Sequence, residues 1–443
     1  MRSGRCFGIV WAQFGPYHFA RASALGKLAA PTKLAAIEIG NETRHYEWHR
    51  ANAPMSLLTL CAGSATEDLP FFRIFIRARK VLSGLGVSVC FLPSYAPKQS
   101  TAVLLAAKSI RLRTVMMNES HAGTARATGV AGAVKRQLVR LFDAAIVGGR
   151  PQRRYFARLG IPEDKIFTGY DAVDNDHFSQ RAEAVRAQQS TIRSQYGLPE
   201  HYFLSLGRFV QKKNLSMLIR AFRLFLEAST PKQTHLVLVG SGREKSELKS
   251  LCREYGLVVY DKEDVTGKIF QIENRTSKIT NGISGVHFYG FRQIDDNPVF
   301  YALADAFILT SLWEEWGLVV NEAMASSLPV VVSRTAGCVE DLLEPGISKD
   351  LLSPDVYQRV KDLGLCELIR ENGFVFDSTC SDELSRILVL LESCGNLRTS
   401  MGRASRQIIN KFSCENFAKN ALLAAEAAMA RPLGGRRHSR PSN

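Results

Sequence analysis

Long apolar runs are missing from this chain of 443 residues. No uninterrupted stretch reaches the roughly 18 residues that a bilayer-crossing helix needs, so no spanning segment is expected. The opening MRSGRCFGIVWAQFG joins basic residues to a short apolar run. A signal peptide needs a longer apolar region and a small-residue cleavage site; CFGIV reads instead as a first buried strand. The nine cysteines are odd in number and scattered, with no C-x-x-C pair. That argues against a disulfide framework or a zinc site and for a reducing, cytoplasmic location. Acids are scarce at the front: residues 1–160 hold 7 Asp+Glu against 23 Lys+Arg, whereas residues 161–443 hold 35 against 34. The net charge of +15 therefore sits in the N-terminal part. Such a part suits an anionic partner, either a membrane surface or a phosphorylated substrate, and equally a basic protein that is merely soluble. Nucleic acid is not expected, since neither zinc-finger spacing nor an aromatic RNA-binding signature occurs.

What is present is globular. Hydrophobic content of 46% and charged content of 22% exclude general disorder, and the length exceeds one hydrophobic core. Short apolar runs at 7–12, 34–39, 56–61, 87–92, 114–118 and 144–148 alternate with helical stretches at 17–30, 70–84, 100–110 and 132–143. The pattern restarts with strands at 203–207, 235–240, 286–290, 305–310 and 329–333, and helices at 214–228, 243–255, 317–327, 382–395 and 402–428. Apolar strands alternating with helices predict an α/β fold with two Rossmann-like, doubly wound domains. The expected division is a first domain at 1–178, a polar linker at 179–200, a second domain at 201–412, a C-terminal helix at 413–430 and a disordered basic tail at 431–443. Residues 258–285 are polar without a clear period and are expected to be a surface insertion.

Three stretches carry candidate chemistry. In SLGRFVQKKN, residues 205–214, a buried strand ends at Gly207, Arg208 follows and Lys213 opens a helix. Ligands of open α/β sheets sit beyond the carboxyl ends of strands, and two cations there suit a diphosphate; a solvated loop would look the same. In LVGSGREKSEL, residues 238–248, a strand runs into Gly240-Ser241-Gly242 without the full G-x-G-x-x-G pattern, so a tight turn is the expectation. WEEWGLVVNEAM, residues 313–324, places Glu314 before a helix and Glu322 inside it. Backbone N–H groups at Gly317 and Leu318 would lie at that helix N-terminus, a natural phosphate site. Sugar hydroxyls could reach Glu314, and Glu322 could accept bonds from a ribose diol; an amphipathic core helix with two acids on its exposed edge would look the same.

GRFVQKKN, WEEWGLVVNEAM and LPVVVS, in this order and spacing, resemble the retaining, nucleotide-sugar-dependent glycosyltransferases of family 4, with a GT-B fold. The resemblance covers essentially the whole chain. It implies two Rossmann-like domains facing across a cleft, with the C-terminal helix returning to the first. It places Arg208 and Lys213 on the donor diphosphate, Glu314 on the transferred sugar and Glu322 on the nucleotide ribose. Gly15, Gly290, Phe291, Trp316, Gly317 and Leu318 fall on the nucleotide side. His121 resembles the family's histidine at the inner lip of the first domain; His18 is more readily a structural residue, and Arg126 is placed to assist an acidic acceptor. Asp174 and Asn175 are expected to shape the crossover, or to border the cleft. Two departures are Pro16, where a second glycine is usual, and Ser327, where glycine is common; the small serine is expected to cost little. No Asp-x-Asp occurs where a metal-dependent enzyme needs one, so no metal and no cofactor are expected, the nucleoside-diphosphate sugar being the donor substrate. The implied acceptor is a hydroxyl of a saccharide or lipid-linked saccharide, in polysaccharide or glycoconjugate synthesis. A GT-B sugar-nucleotide-binding protein or epimerase without transferase activity is the alternative. FFRIFIRARK, residues 71–80, and VKRQLVRLF, residues 134–142, mix basic and large apolar residues, which suits peripheral contact with the inner face of an anionic membrane as well as ordinary helices docked on a sheet.

Overall fold

The computed structural model describes residues 6–42, 55–125, 129–228, 233–262, 283–343 and 352–430. Its apolar runs form two sheets. The first contains β1 (Cys6–Trp11), β2 (Lys33–Glu42), β3 (Leu57–Ala65), β4 (Val87–Leu92), β5 (Arg113–Asn118), β6 (Ala144–Val147) and β7 (Ile166–Thr168). The strands lie in the order β3-β2-β1-β4-β5-β6-β7, and all pairs are parallel. The second contains β8 (His201–Leu206), β9 (Thr234–Val239), β10 (Val258–Asp261), β11 (Gly285–Tyr289), β12 (Ala306–Leu309), β13 (Val330–Ser333), β14 (Ile369–Arg370) and β15 (Gly373–Phe376). Its order is β10-β11-β9-β8-β12-β13-β15-β14, with only the β14–β15 pair antiparallel. Every residue of β1, β6, β12 and β13 is buried. Strands covered by helices on both faces need this continuous apolar character rather than alternation.

Strand order reverses beside β1 in the first sheet and beside β8 in the second. At such a point the connecting loops diverge to opposite faces and leave a crevice at the carboxyl ends of the strands. The segments leaving β1, β8 and β12 are Ala12–Tyr17, Gly207–Lys213 and Thr310–Gly317. The topology thus delivers most of the candidate residues to two facing crevices.

Three expectations are corrected. Residues 179–200 are not a linker. Helices Asn175–Ala187 and Gln189–Tyr196 occupy most of that range, and Phe178, Ala182, Ile192 and Tyr196 enter the second sheet's core. Their polar face concealed an apolar stripe. Residues 258–261 form edge strand β10 rather than the start of an insertion; residues 263–282, with Arg126 and the tail 431–443, lie outside the described residues. The long helix over 402–428 is two, Gly395–Ile409 and Cys414–Met429. The second does return to the first sheet. Phe417, Ala418, Ala421, Ala424, Ala425 and Ala428 are buried with Phe7, Ile9, Val89, Val115 and Ile146. Alanines at helical spacing let the helix approach the strands closely.

Ser327 also departs from expectation. The helix Leu318–Ala325 ends with Ser327 N bonded to Met324 O and Leu328 N bonded to Ala323 O, both at 3.0 Å. This paired pattern requires a left-handed residue after the cap, and Ser327 has φ of 60°. The cost is therefore conformational, not steric bulk. A Cβ in this region costs roughly 1–2 kcal/mol, part of which glycine gives back through its larger unfolded-state entropy. Ser327→Gly is expected to stabilise the protein by about 0.5–1 kcal/mol, read as a higher urea midpoint at unchanged slope.

Candidate functional site

The loop after β8 is held from two sides. Gly240 (φ 138°) and Gly242 (φ 154°) form a turn on which a side chain would strike the backbone oxygens of Gly207 and Phe209. Phe209 N donates to Ser241 O at 2.7 Å. The Gly-Ser-Gly turn is therefore a buttress for the cationic loop. On the other side, Thr310 Oγ1 donates to Lys213 O at 2.7 Å and Leu312 N to Lys212 O at 2.8 Å. These bonds bind Lys212 and Lys213 to the segment leaving β12.

That segment presents Glu314. Lys213 Nζ donates to Glu314 Oε2, Lys212 Nζ reaches Glu314 Oε1 at 3.1 Å and Glu315 Oε2 at 3.0 Å, and Ser311 Oγ donates to Glu314 Oε2 at 3.0 Å. Burial works against the Glu314 charge, but Lys213 and Lys212 outweigh it and bring its pKa down to about 2. Burial likewise opposes the Lys212 charge, and Glu314 with Glu315 outweighs it, raising that pKa. Arg208 stands exposed on the same loop. Sequence reasoning singled out Lys213 and missed its neighbour; the doubled lysine in QKKN was visible, but nothing in the sequence shows that both reach one carboxylate.

The first lobe closes over this cluster. His121 accepts from Gly123 N at Nδ1, 3.2 Å away, which leaves Nε2 to donate to Glu314 O at 3.0 Å. Gln152 Nε2 donates to Glu315 O at 2.9 Å, and Arg150 pairs with Asp341 at 3.2 Å. Gln152 also went unmarked in the sequence. His18 accepts from Gly15 N at 2.9 Å and stacks on Trp11 with ring centroids 4.7 Å apart. Burial and the nearby Arg21 take its pKa to about 3, so it is an uncharged structural cap. Asp174 caps helix Asn175–Ala187, and Asn175 Nδ2 donates to Ile409 O at 3.0 Å, which is the turn-shaping role expected of both.

The nucleotide-side residues fare unequally. Gly290 and Phe291 follow β11, and Gly240 N donates to Gly290 O at 3.1 Å, so their loop joins the same crevice. Gly317 takes φ of 104° and caps the helix beginning at Leu318. Trp316 is fully buried; its indole N–H donates to Asn321 Oδ1 at 2.9 Å and its ring lies against Gly148 and Gly149. In this closed arrangement it packs the lobes together rather than opening onto the crevice. Glu322 is fully buried too, with Tyr17 donating to Oε1 at 2.5 Å and Asn297 Nδ2 to Oε2 at 3.4 Å. Burial lifts its pKa to about 7, while the Tyr17 and Tyr301 hydroxyls and the Asn297 amide pull the other way. Tyr17 comes from the other lobe, 305 residues away, and no local signal could have named it.

Residues 200–363 match the family model described as glycosyl transferases group 1. Mannosylfructose-phosphate synthase of Agrobacterium fabrum is 28% identical over 179 residues, 40% of this chain and 34% of that protein. The lipopolysaccharide core biosynthesis glycosyltransferase LpsE of Rhizobium meliloti is 26% identical, over 48% of this chain and 46% of its own. The chain spans less than half the length of either. The fold matches Anabaena HepE in complex with UDP and glucose, with a TM-score of 0.63 at 16% identity over 96% of this chain and 100% of that one. Sucrose-phosphate synthase of Thermosynechococcus elongatus matches with a TM-score of 0.64 at 16% identity, over 95% and 98%. The architecture is GT-B.

The two acids of WEEWGLVVNEAM should titrate in opposite senses. Glu322 has a folded pKa raised from 4.5 to about 7, so its contribution is complete below pH 4.5 and is lost as pH rises through 7. Glu314, lowered from 4.5 to about 2, contributes above 4.5 and loses that as pH falls through 2. Relative to Glu322→Gln, the parent protein is expected to lose about 3 kcal/mol of stability across the first window. Denaturation curves of both proteins at stepped pH check it; parallel curves would mean that Glu322 stays ionised.

Proposed function

We propose, from the premise that the chain is a family 4-like glycosyltransferase of GT-B fold, that it moves a sugar from a nucleoside-diphosphate sugar to a hydroxyl acceptor with retention of configuration. The observation that carries this reading is the gathering of Lys212, Lys213 and Glu314 at the reversal point of the second sheet, with His121 set against them from the first lobe. The donor diphosphate lies beside Arg208 and Lys213, near the N–H groups of Gly317 and Leu318. Its ribose meets Glu322, and Gly290-Phe291 lie against the base. The transferred sugar lies between Glu314 and His121.

The bond from the anomeric carbon to the diphosphate oxygen breaks, and its electron pair stays on the leaving diphosphate. A short-lived oxocarbenium species is captured on the same face by the acceptor oxygen, and the acceptor proton passes to the departing phosphate. Charge grows on the diphosphate in this step, so cations fixed beforehand stabilise the transition state more than the bound donor. Lys213 leaves Glu314 for the diphosphate as the donor enters, and Lys212 keeps the carboxylate ionised for sugar hydroxyls. Closure of the first lobe excludes water.

The acceptor belongs to the basic first lobe, at a membrane surface. No helix among the described residues is long and apolar enough to cross a membrane. Helices Phe71–Gly84 and Gly129–Val139 begin at the carboxyl ends of their strands, the end that faces the crevice. There Phe72 is 75% exposed, Ile76 64%, Val130 83% and Val134 54%, with Arg73, Arg77, Arg79 and Arg136 exposed on the same helices. Large apolar side chains ringed by arginine suit the headgroup region of anionic lipid and a lipid-linked saccharide held there.

Two measurements test these readings. With a radiolabelled donor, Lys213→Ala is expected to lower kcat about 100- to 1,000-fold when assayed below its melting transition, which falls because Glu314 loses one buried counter-charge; transfer within a few-fold of the parent removes its role. In flotation with anionic liposomes, the parent is expected to bind in a salt-sensitive way and the double variant Phe72→Glu, Ile76→Glu to stay in solution; equal recovery of both ends the membrane assignment.

A further inference from the structure

The most unusual contact in the crevice is the one between Tyr17 and Glu322. Glu322 is the acid read above as the partner of a ribose diol, and the present inference rests on that reading. In the structure a phenol takes that place. The phenol oxygen of Tyr17 lies 2.5 Å from Oε1, on a carboxyl group with no exposure to solvent. A phenol and a secondary alcohol are both hydroxyl donors of similar reach, so one can stand where the other will.

Two further observations bear on the contact. Asn297 is 3% exposed and donates to Oε2 at 3.4 Å, yet its Oδ1 has no hydrogen-bond partner among the described residues. A buried amide oxygen without a partner is costly. The phenols of Tyr17 and Tyr301 beside the carboxyl group leave it so; a vicinal diol brings a further hydroxyl to the same place. Secondly, Tyr17 also lines a cavity of about 960 Å³ together with Phe14, Phe19, Ile294 and His177. The ring is half-buried and has free volume beside it, so it can leave Glu322 by side-chain rotation with the lobes still closed.

We propose that Tyr17 is a ribose surrogate: its hydroxyl occupies the ribose hydroxyl position on Glu322 until a ribonucleotide donor exchanges for it, and the ring then turns into the neighbouring cavity. Tyr17 is on this account a positioning residue. It keeps Glu322 aimed and hydrogen-bonded in the empty enzyme, and it sets a threshold that only a sugar diol passes. A nucleotide without those hydroxyls has nothing to offer in exchange and leaves Tyr17 in place.

The experiment is calorimetric titration of the full chain. Uridine, guanosine and adenosine diphosphates are tried first, and the tightest is compared with its 2′,3′-dideoxy form on the parent, Tyr17→Phe and Glu322→Gln. Phenylalanine keeps the ring and removes the competing hydroxyl. Tyr17→Phe is expected to bind the ribonucleotide about five- to tenfold more tightly and the dideoxy form no differently, whereas Glu322→Gln loses the distinction between the two. A damaged fold would weaken both ligands together, and a melting curve checks it. Unchanged or weaker ribonucleotide binding by Tyr17→Phe, or equal tightening of both ligands, overturns the surrogate role. If Glu322→Gln still loses the distinction, the ribose reading stands while the exchange fails. If no diphosphate binds the parent, the donor reading fails and takes the exchange with it.

Discussion

One buried carboxylate between two ammonium groups organises the second lobe. Glu314 sits where strand β12 ends, and Lys212 and Lys213 sit where the adjacent strand β8 ends. Ion pairs in low dielectric hold only when their remaining valences are met. Here Ser311 takes one lone pair of the carboxylate, and backbone bonds from Thr310 and Leu312 fix the lysine loop. The backbone that carries the two lysines is therefore fixed before any ligand arrives. With Lys212 holding the carboxylate, Lys213 has only a side-chain rotation to make toward an incoming anion.

The same short stretch gives its two acids contrary surroundings. Glu314 is ringed by cations and stays ionised; Glu322, eight positions later, is surrounded by hydroxyls and an amide and holds its proton to about pH 7. The apolar residues between them answer why so greasy a segment is bordered by carboxylates. Val320, Ala323 and Met324 are buried in the core beneath the second sheet, and they anchor the helix that carries Glu322 and follows the loop of Glu314. Trp316 adds a contact with the first lobe at the same point.

Much of this was legible in the chain. The strands β1 to β6, β8, β9 and β11 to β13 fell within a few residues of the apolar runs, because parallel strands buried on both faces are apolar throughout. The short β7, β14 and β15 have no counterpart among them, as two to four residues carry no period, and β10 fell in the expected insertion. Residues 179–200 read as a linker because the polar outer faces of the two helices there outweigh their six buried positions. At the site, Lys213, Glu314, His121 and the Gly290 loop were found through motif and strand-end logic, and the structure brings them to one crevice. Tyr17, Gln152 and Asn297 were not found. Each acts on a partner far away in sequence, and only the meeting of the lobes gives it a role.

The return of the last described helix to the first sheet has a consequence for synthesis. One face of that sheet is covered in part by Phe417 and a row of alanines, which leave the ribosome after the whole second lobe. Topologically the second lobe is an insertion within the first. The lobe translated first is thus the last to be completed, and its uncovered strands must wait, shielded or chaperoned, for a helix that starts 246 residues after Thr168 ends β7.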